Sequence, residues 1–573
     1  MLPKIIVLVS FLLYYLAYRW YAGLLDKKIF QLRNTRDTPA WKQNDGVDYV
    51  PTRPSVLLGH HFASIAGLGP ILGPAVAVIW GWLPALVWVI FGAIFIGAVH
   101  DFSALVLSVR AKGLSIGSLT ESLLGKRARL LFLLIIFFLV SLAMGVFVIV
   151  LGFLFSPAGY PAVTAPSSLI MIVAMILGYL TFKKGYSLTK WGSLAFVVIL
   201  AVIFLSESGI ITEQTGVNFS NVQISSDSFM IIMLFYAFAA SVLPVWLLLQ
   251  SRDFLNSILL FLGLGCLYLG FFFTSTEFSA PALQLAPENA PDVFPFLFIT
   301  IACGSISGFH ALVSSGTTAK QLSTEKDAKL IGYGSMLGES LLGLLAILAT
   351  TTVFSSQDEW KMYYGDWKSL AGLGNQVQIF IKGGGKFLTS LGLSLNIGES
   401  LLAFLVVSFA LTSLDSATRL LRYNIEELSE YVPAKKLKSI LQNRYISSII
   451  AVISIGFFAF FKMNGQPAGK VLWQLFGTSN QLLGGLALLL ASVYLYSRNK
   501  NPLYTLIPMI LILNLSLIAM GENMIKFTRM PGAHLLFIVN GILMVLTGWL
   551  SIEGILAARR FKNNKIVSLD ILT

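Results

Sequence analysis

Residues 60–78 read HHFASIAGLGPILGPAVAV, an apolar stretch long enough to cross a bilayer with Gly67, Gly69, Pro70, Gly73 and Pro74 crowded into its middle. Glycine loosens a helix and proline removes a backbone donor, so the pattern predicts a helix interrupted at mid-depth. Non-helical backbone at that depth is tolerated only where it is buried in protein or lines a cavity. A second stretch, MIIMLFYAFAASVLPVWLLL at 230–249, places Ala239, Ala240, Ser241 and Pro244 at its middle. Two such helices at matching positions of oppositely oriented halves point to a transporter site built on inverted repeats. The plainer reading, that Gly and Pro merely aid close packing in membrane helices, fits either stretch alone less awkwardly than it fits the matched pair.

Composition supports a membrane setting. Of 573 residues, 56% are apolar and only 12% charged, against about a quarter charged in soluble domains. Hydropathy predicts about fifteen spans, one near 3–25 and the others near 60–80, 83–109, 129–155, 166–182, 189–206, 229–248, 256–273, 294–314, 330–353, 397–414, 445–461, 471–495, 503–520 and 534–556. The leading run is too long for a signal h-region and lacks an A-x-A site, so it reads as a retained span. With the C-terminus cytoplasmic and the N-terminus outside, 31 of the 40 Lys and Arg residues fall on the cytoplasmic face, as the positive-inside rule requires. The net charge of +13 is then a property of cytoplasmic loops, with no call for nucleic acid. Cys266 and Cys303 lie inside apolar runs and form no CxxC pair, and no HExxH occurs, so no metal site is implied.

The organisation expected is a leading span and cytoplasmic linker (1–59), a core of two inverted repeats (60–414, divided 60–206 and 229–414), additional spans (445–556) and a cytoplasmic tail (557–573). An extracytoplasmic stretch, 354–396, carries an apolar piece at 377–395 that reads as an amphipathic helix on the membrane or a lid.

Within 294–321 the density of Ser305, Ser307, His310, Ser314, Ser315, Thr317 and Thr318 is high. These residues can glue helices together; Ser314 and Ser315 can equally be oxygen ligands for Na⁺ facing the carbonyls of 60–80. His310 and His100 can carry protons or remain neutral donors. His60 and His61, at the cytoplasmic mouth and near water, read as structural or gating residues, with Asp101 beside His100. Asp415 and Arg419 are four apart and can brace one helix face. Glu339, Glu399, Glu522 and Glu553 sit near apolar runs without a rank among them.

The strings GHHFASIAGLGPILGP, GAVHDF, ASVLPVWLLLQSRDF, TIACGSISGFHALVSSGTTAKQ, LDSATRLLRY and LWQLFGTSNQLL together resemble the carbon starvation protein A (CstA) family, over about 45–480. The resemblance implies a bacterial or archaeal inner-membrane transporter of peptides or, in some members, a proton-driven importer of pyruvate. It also implies the LeuT-like fold, all-α with two inverted five-helix repeats. The family more usually carries Gln where this chain has His100, so His100 is no universal proton carrier. The reading is therefore a symporter, not an enzyme, with no cofactor beyond a coupling ion, H⁺ or Na⁺. Its substrate carboxylate would lie between Gly67, Gly69, Pro70, Gly73 and Ala240, Ser241, Pro244, at the positive end of a half-helix. Two other classes are a membrane sensor, which would carry an output domain, and a haem or metal protein using the intramembrane histidines.

Overall fold

The computed structural model describes residues 1–34, 37–207, 224–370, 372–463 and 465–563, and it is built almost wholly of helices. The expected cytoplasmic tail beyond 563 and most of the loop 207–228 lie outside the described residues. Among the described residues eleven helices are long and apolar enough to cross a membrane, and up to thirteen when two bent pairs each count as one span. The remaining two predicted spans are the irregular ones: Ser226–Val242 has 17 residues, short for a hydrocarbon core of about 30 Å at 1.5 Å per residue. The stretch 293–318 is divided into short helical pieces.

The centre is formed by Lys126–Phe155, Leu395–Leu428 and Phe476–Ser497, buried along most of their length. Lys126–Phe155 packs along Leu395–Leu428. Small residues set the close approaches: a Cβ at Gly145 would meet Phe458, and one at Gly263 would meet Leu405. Without a hydrophobic drive between helices in lipid, such close packing is what holds a bundle together. The leading helix, Leu188–Leu205 and His534–Arg560 lie at the periphery, with apolar side chains such as Leu12, Val197 and Val545 exposed.

The stretch 354–396 forms two helices, Gln357–Tyr364 and Leu373–Thr389. The second docks on the core: Val377, Phe380, Ile381 and Phe387 are buried, and Gly383, Gly384 and Gly385 face the Ala349 carbonyl, Leu402 and Glu399. A helix lying on the membrane surface is thereby replaced by one seated against Ser335–Thr351 and Leu395–Leu428.

Candidate functional site

Helix Pro54–Ile65 stops where Ala66 leaves helical geometry (φ −74°, ψ 62°) and resumes as Gly69–Ala77, with a bend of 49°. Pro70 lies in the first turn of the second half, where no backbone donor is needed. The glycines permit contact: a Cβ on Gly69 would collide with the Cys303 side chain, and one on Gly73 with the Thr300 carbonyl. The partner of the half-helix after the break is therefore 300–304.

That partner leads into a break of its own. Helices Val293–Thr300 and Ala302–Ser305 end at Ile306 (φ −154°, ψ 77°) and Ser307 (φ −101°, ψ 117°), and the chain resumes as Gly308–Val313 and a wide turn Ser314–Thr318. Asn480, from Phe476–Ser497, fills the gap. Its Oδ1 accepts from the Phe309 amide (3.0 Å) and its Nδ2 donates to Ser307 Oγ (3.1 Å) and Cys303 Sγ (3.1 Å). Buried backbone groups that a break frees must find such partners.

The expected partner, 229–248, behaves differently. Ala239, Ala240 and Ser241 stay helical up to Val242, and Leu243 turns extended (ψ 149°) just before Pro244. A residue preceding proline is disfavoured in helical geometry, so the helix ends there instead of breaking at mid-depth. The carbonyls left over, of Ala240 and Leu243, accept from Arg419 Nη2, and Ser241 Oγ bonds Ser448 Oγ (2.9 Å). Ala240, Ser241 and Pro244 are thus not brought to the break at 66–68.

Around helix Pro54–Ile65 lie two buried polar networks. In the first, His61 bonds Thr318 Oγ1 through Nδ1 (2.8 Å) and Asp101 Oδ2 through Nε2 (3.1 Å), and Ser314 Oγ donates to Asp101 Oδ1. His310 Nε2 lies 3.2 Å from Glu339 Oε2, and the His100 and His310 rings are 6.3 Å apart. Among the described residues, both His100 nitrogens and both Glu339 oxygens lack a hydrogen-bond partner. Ser315 donates to Ala311 O (2.7 Å) and accepts from the Ile116 amide (3.0 Å). The hydroxyls of Ser314 and Ser315 are committed to these partners, and neither bond runs to the carbonyls of the break.

In the second network His60 Nδ1 contacts Asp253, and Gln321 Nε2 donates to His60 Nε2 (3.2 Å). Arg252 bonds Asp253 (3.0 Å), Asp415 and Tyr236, whose hydroxyl donates to Asp415 (2.5 Å). Two expectations change here. His60 and His61 are fully buried, not near water, between Asp253 and Gln321 on one side and Asp101 and Thr318 on the other. Asp415 and Arg419 do not brace one helix face: Asp415 faces Arg252, while Arg419 bonds Asp48 (2.8 Å) and two carbonyls. An i,i+4 pair contributes only about 0.3–0.5 kcal/mol, so partners on other helices win.

Sequence reasoning left Glu339 unranked and passed over Arg252, Asp253 and Asn480. Their signal was polarity inside or beside apolar runs, which for Glu339 was visible. Among the described residues no three His, Cys, Asp or Glu side chains are placed to hold a metal ion.

A family model described as Carbon starvation protein CstA matches residues 3–363 and 365–519. A curated relative, the peptide transporter CstA of Helicobacter pylori, is 32% identical over 573 residues, covering 89% of this chain and 80% of that protein. The pyruvate/proton symporter BtsT of Escherichia coli is 32% identical over 580 residues, covering 87% and 78%. Among solved structures, the Eremococcus coleocola manganese transporter in complex with an aromatic bis-isothiourea substituted compound aligns with a TM-score of 0.48 at 14% identity, covering 90% of this chain and 99% of that one.

Proposed function

The chain belongs to the carbon starvation protein CstA family, and on that premise we propose that it imports a small carboxylate-bearing nutrient, a peptide or pyruvate, with protons as the coupling ion. It is a multi-pass membrane transporter and not an enzyme. The observation that carries the finer reading is the meeting of two interrupted helices, at 66–68 and 306–307, beside His100, His310 and Glu339. The substrate carboxylate lies at the start of Gly69–Ala77, where the helix dipole presents its positive end.

Intramembrane ionisable groups are costly and mark ion or proton paths. Here Glu339 and His100 lack hydrogen-bond partners among the described residues, while the hydroxyls expected to hold Na⁺ are committed elsewhere. That balance favours H⁺, as does the relative named as a pyruvate/proton symporter. The two repeats begin at the two broken helices. The second therefore opens at 293 in place of 229, and Ser226–Val242 and Leu249–Phe273 are inserted between them. The N-terminus is outside and the C-terminus cytoplasmic, in an inner membrane.

The test is uptake of labelled pyruvate and of labelled alanyl-alanine into proteoliposomes, with pH and Na⁺ gradients imposed separately. Accumulation in Na⁺-free medium under a pH gradient alone is expected. Uptake that strictly requires Na⁺ and ignores the pH gradient contradicts proton coupling.

A further inference from the structure

At helix ends that the reading above makes cytoplasmic lies a cavity of about 120 Å³. It sits between one end each of Lys126–Phe155, 308–318 and Leu395–Leu428, and its polar lining includes Ser115, Ser315, Lys320, Tyr423, Asn424 and Glu427. Its two sides differ in charge. On one, Lys320 Nζ rests 3.7 Å from the Tyr423 ring centroid and 5.2 Å from that of Tyr49. On the other, Asn424, only 4% exposed, and Glu427 each hold one oxygen without a hydrogen-bond partner among the described residues, while Ser115 and Ser118 hydrogen-bond the Glu427 carboxyl group. A buried acceptor left unpaired costs about 1–3 kcal/mol, so these atoms await a donor.

The linker forms part of the rim of this cavity, which is partly open. Tyr49 lies in its wall, and the neighbouring Asp48 bridges Arg419 (2.8 Å) and Arg422 (3.4 Å). The strap is held along its length: Trp246 Nε1 donates to Gly46 O (3.0 Å), the Val245 amide to Val47 O (3.1 Å), and the Thr52 amide to Gln321 O (3.0 Å). It runs directly into helix Pro54–Ile65, which carries His60, His61 and the break. The charged groups facing Lys320 are Asp48, Glu426, Glu427 and Arg422. Burial lowers the lysine's pKa and Asp48 only partly restores it, so an arriving anion stabilises the ammonium form.

Resting on the transporter reading, we propose that this cavity is the inner station of the transport path and takes a zwitterion, an amino acid or short peptide. Its carboxylate sits on Lys320 and its ammonium on Asn424 and Glu427, with Asp48 and Tyr49 as the cytoplasmic gate. Pyruvate has no ammonium group and leaves Asn424 Oδ1 and Glu427 Oε2 unpaired. A site built for a hydrogen-bonding group rejects an analogue that lacks it.

The experiment is labelling of Ile136→Cys, in the cavity wall, by a polar thiol reagent added to inside-out vesicles. The chain with only Cys266 and Cys303 gives the background. Labelling is expected to be slow, and Asp48→Asn or Tyr49→Ala to speed it by about tenfold, the population shift for a gate weakened by one decade. In the Tyr49→Ala background, alanyl-alanine slows labelling and pyruvate at equal concentration does not. Lys320→Gln loses this protection and Lys320→Arg keeps it. Unchanged labelling in both gate variants, each shown folded by gel filtration, overturns the gate. Equal protection by pyruvate overturns the zwitterion site, and protection that survives Lys320→Gln overturns the role of Lys320. The labelling needs no net transport. Absence of uptake with this pattern intact would instead count against the transporter reading.

Discussion

Helix Pro54–Ile65 carries adjacent histidines into two networks that are paired to very different degrees. On the His60 side, Arg252 is paired with Asp253, Asp415 and Tyr236, with only Arg252 Nε and Asp415 Oδ1 left over among the described residues of this group, and the histidine faces Asp253 and Gln321. On the His61 side, both His100 nitrogens have no hydrogen-bond partner among the described residues, and Glu339 has no hydrogen bond there but only the close approach of His310, at 3.2 Å. A matched buried network holds geometry, because removing any member strands a charge. An under-matched one holds groups whose protonation can change, which is what a proton carrier needs. We take the first as the frame and the second as the machinery.

The comparison breaks most visibly at Arg252. Arg252→Met leaves Asp253 and Asp415 without their cation, and a loss of about 3–5 kcal/mol is expected for one partner of a buried ion pair. Thermal unfolding in detergent, with folded yield, checks it; a melting temperature equal to the parent's would remove the distinction between frame and machinery. The broken helices come next. Gly73→Ala drives a methyl group into the Thr300 carbonyl, an overpacking that costs about 1–3 kcal/mol. Gly521→Ala, where a Cβ meets nothing within 4 Å among the described residues, serves as the control and should match or exceed the parent in stability. Equal behaviour of the two variants would mean that the half-helix after the break does not pack against 300–304.

The smallest effect concerns pH. Burial alone would raise the Asp48 carboxyl, but Arg419, Arg422 and Lys320 outweigh it and hold it well below the usual carboxylate range. A depressed folded-state pKa gives stability that is fully present above the unfolded value, about 3.9, and is lost only as pH falls through the folded one. The latch should therefore stay closed across the pH range in which uptake responds to a proton gradient. Labelling of Ile136→Cys that rises between about pH 8 and pH 5.5 would contradict this assignment of the Asp48 charge.

The interruption in 60–80 was legible because its glycines and prolines act locally on the backbone. Its partner was not. Pro244 is the louder signal, yet it only ends a helix, whereas the break at Ile306–Ser307 contains no proline and is held open by Asn480, far along the chain. Long-range pairing also hid the roles of Asp415 and Arg419: their four-residue spacing suggests each other, but Arg252 and Asp48 arrive from distant segments. The depth of His60 and His61 was misjudged because hydropathy does not show that Asp253, Gln321, Asp101 and Thr318 from distant segments surround them. Glu339 stood out as a carboxylate within an apolar run, and only the placement of His310, 3.2 Å away, separates it from the other glutamates.

The most direct test of the proposed coupling is Glu339→Gln, which keeps the shape of the side chain and removes its titration. Parent and variant proteoliposomes, matched for folded protein, would be given a pH gradient in Na⁺-free medium, and net accumulation of labelled substrate compared with substrate exchange across the same membranes without a gradient. The account predicts that the variant loses gradient-driven accumulation and retains exchange. A variant that accumulates substrate as the parent does would contradict it.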